Sequence, residues 1–277
     1  MGNISFFAFL LLSIFLLHSC FYNGVDAGLR RKALETPSAA PSAAPSAAPS
    51  AAPSAAPSAG GISPRILKFY PIIQEFKNRV ANDPKGILKT WDPNDKNVRN
   101  YKGFFCDLYP ADKQQTVAGV DFNGFEFAGP IPKSIGQAKN LREALLNDNQ
   151  LTGCLPCEIG LLANATVFNV SANSLTGPIP KSFQCLADLE KLSLAKNQLY
   201  GSVPDTMCKI SKLVLLDLSD NNFSEIGPEC KKLIAQKVVD PKGNCINGLP
   251  NQRSKAECDA FLSKPKSCPA QNTIPCS

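Results

Sequence analysis

Cys154-Leu155-Pro156-Cys157 is the one stretch of this 277-residue chain whose spacing imitates a redox or zinc motif. A zinc reading needs a second Cys-x-x-Cys or a pair of histidines, and neither is present. The single histidine, His18, lies in an N-terminal segment that reads as removable. Without a histidine the remaining chain runs neither Ser-His-Asp nor Cys-His catalysis. No acid–base constellation emerges among the carboxylates. The sequence therefore predicts no enzyme, no metal and no cofactor, and Cys154 and Cys157 read as disulfide cysteines.

The other residues able to do chemistry are charges, amides and cysteines. Nine charged residues stand at outward strand positions of the repeats described below: Asp121, Glu143, Asp148, Glu190, Asp217 and Asp220, against Arg142, Lys191 and Lys196. Six acids against three bases would face a concave surface on a chain whose formal net charge is +6. That segregation predicts a surface for a basic partner, with Asp121 and Asp217 at matching positions. Beyond that N-terminal segment, three sequons begin, at Asn164, Asn169 and Asn222.

The elements that position these residues begin after an address. Phe6 to Leu17 is an apolar run broken only by Ser13, the length of a secretory h-region and too short to span a bilayer. Val25-Asp26-Ala27 supplies a cleavage site, so residues 1–27 read as a signal peptide. Their removal takes Asp26, leaving +7, and Cys20, leaving ten of eleven cysteines, an even number suited to disulfides in an exported chain. No later run is apolar enough for a membrane anchor. Residues 28–62 form a stalk: Pro-Ser-Ala-Ala recurs with prolines at 37, 41, 45, 49, 53 and 57, a composition without a core that favours extended polyproline II.

From residue 112 to 244 the chain repeats every 24 residues as L-x-x-L-x-L-x-x-N-x-L-x-G-x-I-P, with asparagines at 149, 173, 197 and 221. Five repeats are clear and a sixth, running through Val239 to Asn244, is one residue short. The first carries Phe125 where the asparagine belongs. The pattern predicts an α/β repeat solenoid, a right-handed leucine-rich repeat horseshoe segment with short parallel strands on its concave face and a 3-10 or irregular convex side. The asparagine amides would form a buried ladder. Solenoid ends need caps: residues 63–111, with a helix from Pro71 to Asn82, at one end, and a cysteine-rich segment, 245–277, at the other.

Position relative to the ladder suggests disulfides. Cys185 and Cys208 lie 12 and 11 residues after their asparagines, so adjacent coils would bring them together, and Cys185–Cys208 is the expected bridge. The C-terminal cysteines are expected to pair locally, as Cys230–Cys245 and as a bridge among Cys258, Cys268 and Cys276. Cys106 and Cys157 remain as candidates for one across the array.

The Gly-x-Ile-Pro repeats and the Asp83-Pro84, Gly86-Ile87-Leu88 and Trp91 cap resemble plant extracellular leucine-rich repeat proteins. The stretch from Asn244 to Cys258 is similar to the leucine-rich-repeat extensin-like group. The stalk's isolated Ala-Pro units resemble arabinogalactan-type glycosylation modules. The resemblance implies a wall-associated, non-enzymatic domain, and in some members binding of basic signalling peptides of the rapid alkalinization factor type. Two departures stand out: the array is shorter than the group's usual one, and Arg99 replaces a cysteine seven positions before Cys106. The function classes that follow are a binding module for a secreted peptide or protein, a structural wall glycoprotein contacting acidic polysaccharide such as pectin, and an inhibitor of a secreted hydrolase. None involves nucleic acid.

Overall fold

The computed structural model describes residues 61–265, Cys268 and residues 274–276. The expected signal peptide and nearly all of the stalk lie outside these residues. The fold begins with helix α1, Pro64–Arg79. Ser63 caps it by accepting the Arg65 amide at 3.2 Å, and Pro64, which has no amide to leave unsatisfied, takes the first turn. The helix thus starts seven residues before the expected Pro71, which lies inside it on an exposed side. The apolar stripe accounts for the difference: Ile66 and Phe69 continue the face made by Ile72, Ile73 and Phe76. It also ends sooner, because Val80 turns extended while its amide still donates to the Phe76 carbonyl.

The helix covers an aromatic cluster of Trp91, Tyr101, Phe104, Phe122 and Phe127, all buried. The Asp-Pro motif has a local reason. The Asp83 carboxylate accepts the amides of Ile87 at 3.0 Å and Leu88 at 2.8 Å, starting the 3-10 turn Ile87–Thr90 that delivers Trp91 to the core. Trp91 in turn donates its indole N–H to the Lys102 carbonyl at 3.1 Å.

Strand β1 (Phe104–Leu108) pairs antiparallel with β2 (Gln115–Asp121), and β2 opens a parallel run through β4 (Glu143–Leu145), β6 (Val167–Asn169), β8 (Lys191–Ser193), β10 (Leu215–Asp217) and β12 (Val239–Asp240). Val120, Ala144, Phe168, Leu192, Leu216 and Val239 lie in one register column and are all buried. Leu146, Val170, Leu194 and Leu218, two residues on in the clear repeats, are at most 2% exposed, as the repeat template requires. Sheet and core are those of the expected solenoid.

The far side of each coil is more ordered than expected. After the ladder asparagine the chain forms a second parallel sheet, β3 (Ala128–Pro130), β5 (Gln150–Cys154), β7 (Ser174–Gly177), β9 (Gln198–Val203) and β11 (Asn222–Ile226). It then makes 3-10 turns at Lys133–Gln137, Cys157–Leu161, Lys181–Cys185 and Asp205–Lys209. Pro132, Pro156, Pro180 and Pro204 stand before these turns with φ between −61° and −74°, the range the pyrrolidine ring imposes. In the last coil α2 (Pro228–Ala235) replaces the turn, and α3 (Lys255–Leu262) belongs to the C-terminal cap.

The amide ladder holds the coils together. Asn149, Asn173, Asn197 and Asn221 each accept, through Oδ1, the amide of Phe127, Leu151, Leu175 or Leu199 on the preceding coil at 2.8–3.1 Å. Phe125, without a side-chain amide, stacks on Phe122 and meets Phe127 edge to face. There the N-terminal cap supplies the partners: the Ala81 amide donates to the Ala128 carbonyl at 2.7 Å.

The disulfides differ from the sequence expectation. Cys185 pairs with Cys276, and Cys208 with Cys230, in place of Cys185–Cys208. Cys245 pairs with Cys258, in place of Cys230–Cys245, and Cys268 pairs with Cys154 and not within its own segment. Cys157 is a free, buried thiol, and Cys106 is disulfide-bonded, so those two do not join. The error over Cys185 and Cys208 is one of phase. Cys185 is the fifth residue of its 3-10 turn and Cys208 the fourth, and at three residues per turn one step swings a side chain by about 120°. Cys208 consequently faces the first turn of α2, whose Glu229 and Cys230 amides donate to the Asp205 carboxylate at 3.3 and 3.1 Å.

Candidate ligand-binding face

On the seven-stranded sheet two register columns point away from the core. One runs Gly119, Glu143, Val167, Lys191 and Leu215; the other runs Asp121, Leu145, Asn169, Ser193, Asp217 and Asp240. Asp121 and Asp217 occupy the same column at the ends of their strands. They are four strand spacings apart, or about 19 Å at 4.8 Å each, so the fold aligns them without bringing them together.

Asp217 has a neighbour that the five clear repeats do not reveal. Asp240 stands directly beside it in the register between β10 and β12. It lies in the shortened sixth repeat, where a 23-residue step supplies the matching position, and that step is the signal by which the sequence shows it. Burial pushes the Asp217 carboxyl above its ordinary range; hydrogen bonds from Ser219 oppose the shift, and the charges of Asp240 and Asp220 add to it. Lys242 answers this negative field, its Nζ lying 2.8 Å from Asp240, whose hydrogen bond holds the ammonium pKa up.

Glu143, half-buried, also titrates above its usual range: burial raises it, Arg142 and Lys191 pull it back, and Asp121 raises it again. Arg142 itself is ion-paired with Asp107 on β1, a residue the repeat template does not include. Asp148, Lys196 and Asp220 lie beyond the strands in the turn before each ladder asparagine, where φ is +54°, +54° and +55°. Glu190 is exposed just ahead of β8. The nine charges therefore divide between strand faces and turn rims. On the strand columns themselves four carboxylates, Asp121, Glu143, Asp217 and Asp240, stand with one ammonium, Lys191.

Several column residues also work on their own backbone. Asp121, Asn169 and Asp217 accept the amides of Asn123, Ser171 and Ser219 at 3.0–3.1 Å, closing the turn that ends each strand. Of the sequon asparagines, Asn169 ends β6 and is buried, Asn222 begins β11 and is buried, and Asn164 lies on an exposed turn with its amide on the Lys139 carbonyl at 2.6 Å. Among the described residues no cluster of three or more histidine, cysteine or acidic side chains is placed to hold a metal ion, and no helix is long and apolar enough to cross a membrane.

Coils of 24 residues, a parallel sheet one strand per coil and a continuous asparagine ladder define a leucine-rich repeat solenoid, and this chain carries one. The family model described as "Leucine rich repeat" matches residues 163–223. Among curated proteins, leucine-rich repeat extensin-like proteins 4 and 3 of Arabidopsis thaliana are each 42% identical, over 89 and 91 residues. Those matches cover 32% of this chain but 18% and 11% of the two relatives. Of solved structures, the BIR3–SERK2 complex from Arabidopsis thaliana is similar with TM-score 0.55 and 27% identity, over 66% of this chain and 96% of the other. PEPR1–AtPEP1 is similar with TM-score 0.54 and 25% identity, over 63% and 24%.

Proposed function

We propose that this protein is a secreted, wall-associated leucine-rich repeat module that binds a basic peptide on its concave face without catalysis. The observation that carries this reading is the outward acid column, with Asp217 and Asp240 adjacent at one end and Asp121 at the other, on a chain of formal charge +6. Desolvated carboxylates on a solvent-facing sheet discriminate between cations and neutral groups more sharply than fully hydrated ones. Similarity to a structure named for PEPR1 with AtPEP1 and to extensin-like relatives supports a peptide ligand and a wall setting. The four disulfides whose two cysteines both lie among the described residues, and the N-terminal apolar run, support export.

A second reading, a structural wall glycoprotein, is favoured by one observation. Lys133, Lys181 and Lys209 are exposed on the 3-10 turns away from the concave sheet, where an acidic polysaccharide such as pectin would meet them.

Titrating the deglycosylated protein with basic and neutral peptides at low and physiological salt separates the two. The peptide reading expects saturable binding of the basic peptide, and about a three- to tenfold loss with Asp217→Asn or Asp121→Asn. Equal, negligible affinity for both peptides, or no loss in either variant, would leave the wall-glycoprotein reading.

A further inference from the structure

The cysteines that follow the sixth coil do not stay with it. Cys245–Cys258 is local, spanning 13 residues, and ties α3 to the end of the array. Phe261, on α3, packs its ring 6.1 Å from that of Tyr200 on β9, two coils back. Cys268 is bonded to Cys154 at the end of β5, across 114 residues, and Cys276 to Cys185, across 91. The order of attachment along the chain is thus the cap, the fourth coil, the second coil and the third.

The second sheet is built to receive this segment. The Cys268 sulfur lies over Gly177 on β7, where a Cβ would overlap it. Gly201, one coil on, has nearly the same backbone, φ +85° against +90°, but a Cβ there would meet nothing closer than Pro178 at 3.9 Å. Gly177 therefore lacks a side chain for a reason that Gly201 does not share.

In a solenoid each coil touches only its neighbours, so coils fray from an end one interface at a time. A covalent link from beyond the sixth coil to the second changes that. We propose that the segment carrying Cys258, Phe261, Cys268 and Cys276 is a covalent brace that makes coils two to six and the C-terminal cap open as one cooperative unit, with Gly177 as its seat. The two long bridges restrict every partly opened state in which the later coils have left the earlier ones, and long loops gain most from such closure.

Native-state hydrogen exchange in the full-length oxidised protein tests this. Amides of β8, β10 and α2 are expected to share one denaturant dependence. In Cys154→Ser/Cys268→Ser, amides of β10 and α2 are expected to exchange at least about tenfold faster relative to those of β4. Unchanged relative exchange, or non-reducing peptide mapping that joins Cys268 or Cys276 to other cysteines, would overturn the brace. If that double variant fails to fold, Gly177→Ala and Gly201→Ala settle the matter with every cysteine in place. Both suffer the same left-handed strain, so the brace expects Gly177→Ala alone to raise the unfolding constant by a further factor of about ten. That excess should disappear once Cys154–Cys268 is reduced and alkylated in the folded variant. Equal effects of the two glycine substitutions, or an excess that survives reduction, would refute it.

Discussion

Asn244 accepts the amide of Phe223 through Oδ1 at 3.0 Å although it follows Asn221 by 23 residues and not 24. Its Nδ2 reaches the Leu218 carbonyl at 2.9 Å, as Asn221 reaches that of Leu194. The ladder thus continues one coil beyond the last clear repeat, and the missing residue is lost before β12, whose Val239 and Asp240 already pair with Leu216 and Asp217 at the 23-residue step. The cap builds on this rung, the Cys245 amide donating to the Phe223 carbonyl at 2.9 Å.

Each rung should carry a large share of stability. Asn197 is buried, its Nδ2 facing the carbonyls of Val170, Leu194 and Ala195 and its Oδ1 accepting from Leu175. Asn197→Ala strands these groups away from water and is expected to cost about 2–4 kcal/mol in urea denaturation. Asn197→Asp keeps the acceptor but removes the donors and should also destabilise. A cost below about 0.5 kcal/mol would mean that the ladder is incidental to folding.

Asp217 should make stability fall with rising pH. Its carboxyl, raised by burial and by Asp240 and Asp220, holds its proton to higher pH in the folded chain than in the unfolded one. The native state therefore binds more protons between the unfolded and folded pKa, and stability declines as pH rises through that window. Asp217→Asn is expected to be more stable than the parent at pH 7 and to show a flatter decline over that window. A variant less stable than the parent at pH 7 would show that the Ser219 hydrogen bonds outweigh the desolvated charge.

Tyr101 gives a second window at alkaline pH. Its phenol, fully buried and facing the Asp92 and Asp95 carbonyls at 2.5 and 2.7 Å, is pushed up to about 12, chiefly by burial. Because the folded group keeps its proton past the ordinary value of 10.0, stability should drop as pH rises from there toward 12. Tyr101→Phe should remove this dependence and cost about 1–2 kcal/mol at neutral pH, since the one hydroxyl proton shared by the two carbonyls is lost. An unchanged alkaline limb in pH-dependent denaturation would assign it elsewhere.

Gly160 tests how closely the convex turns stack. A Cβ there would overlap the backbone carbonyl of Ser182 on the next coil, and its φ is not left-handed, so the constraint is space alone. Gly160→Ala should destabilise by about 1–3 kcal/mol through displacement of the neighbouring turn. A neutral thermal melt would show that the 3-10 turns slide freely.

Much of this protein is visible in its residues one by one. Leu194 and its equivalents, and the ladder from Asn149 to Asn221, recur with the period of the coil, and each coil meets only a copy of itself. Periodicity therefore reports tertiary contact directly, which is unusual among folds. The charges on Asp121, Glu143 and Asp217 could be placed on the outward columns by the same rule. The second sheet escaped because Gln150–Cys154 and its equivalents have little apolar alternation of their own; they become strands only when stacked beside one another. The α1 start escaped because Pro71 resembles a first-turn proline, and only the core beneath Ile66 and Phe69 shows that the helix begins earlier.

The sequence by itself determined the coil, its buried columns and its ladder, because those depend on residues 22–27 positions apart that repeat with the chain. Tertiary structure alone decided which cysteine meets which. Cys154–Cys268 and Cys185–Cys276 join a periodic segment to one without a period, so no offset along the chain encodes them. A bridge needs two Cα atoms within about 4.4–6.8 Å and Cβ vectors that converge. On a 3-10 turn a single residue of phase, Cys185 against Cys208, redirects the vector to a different partner.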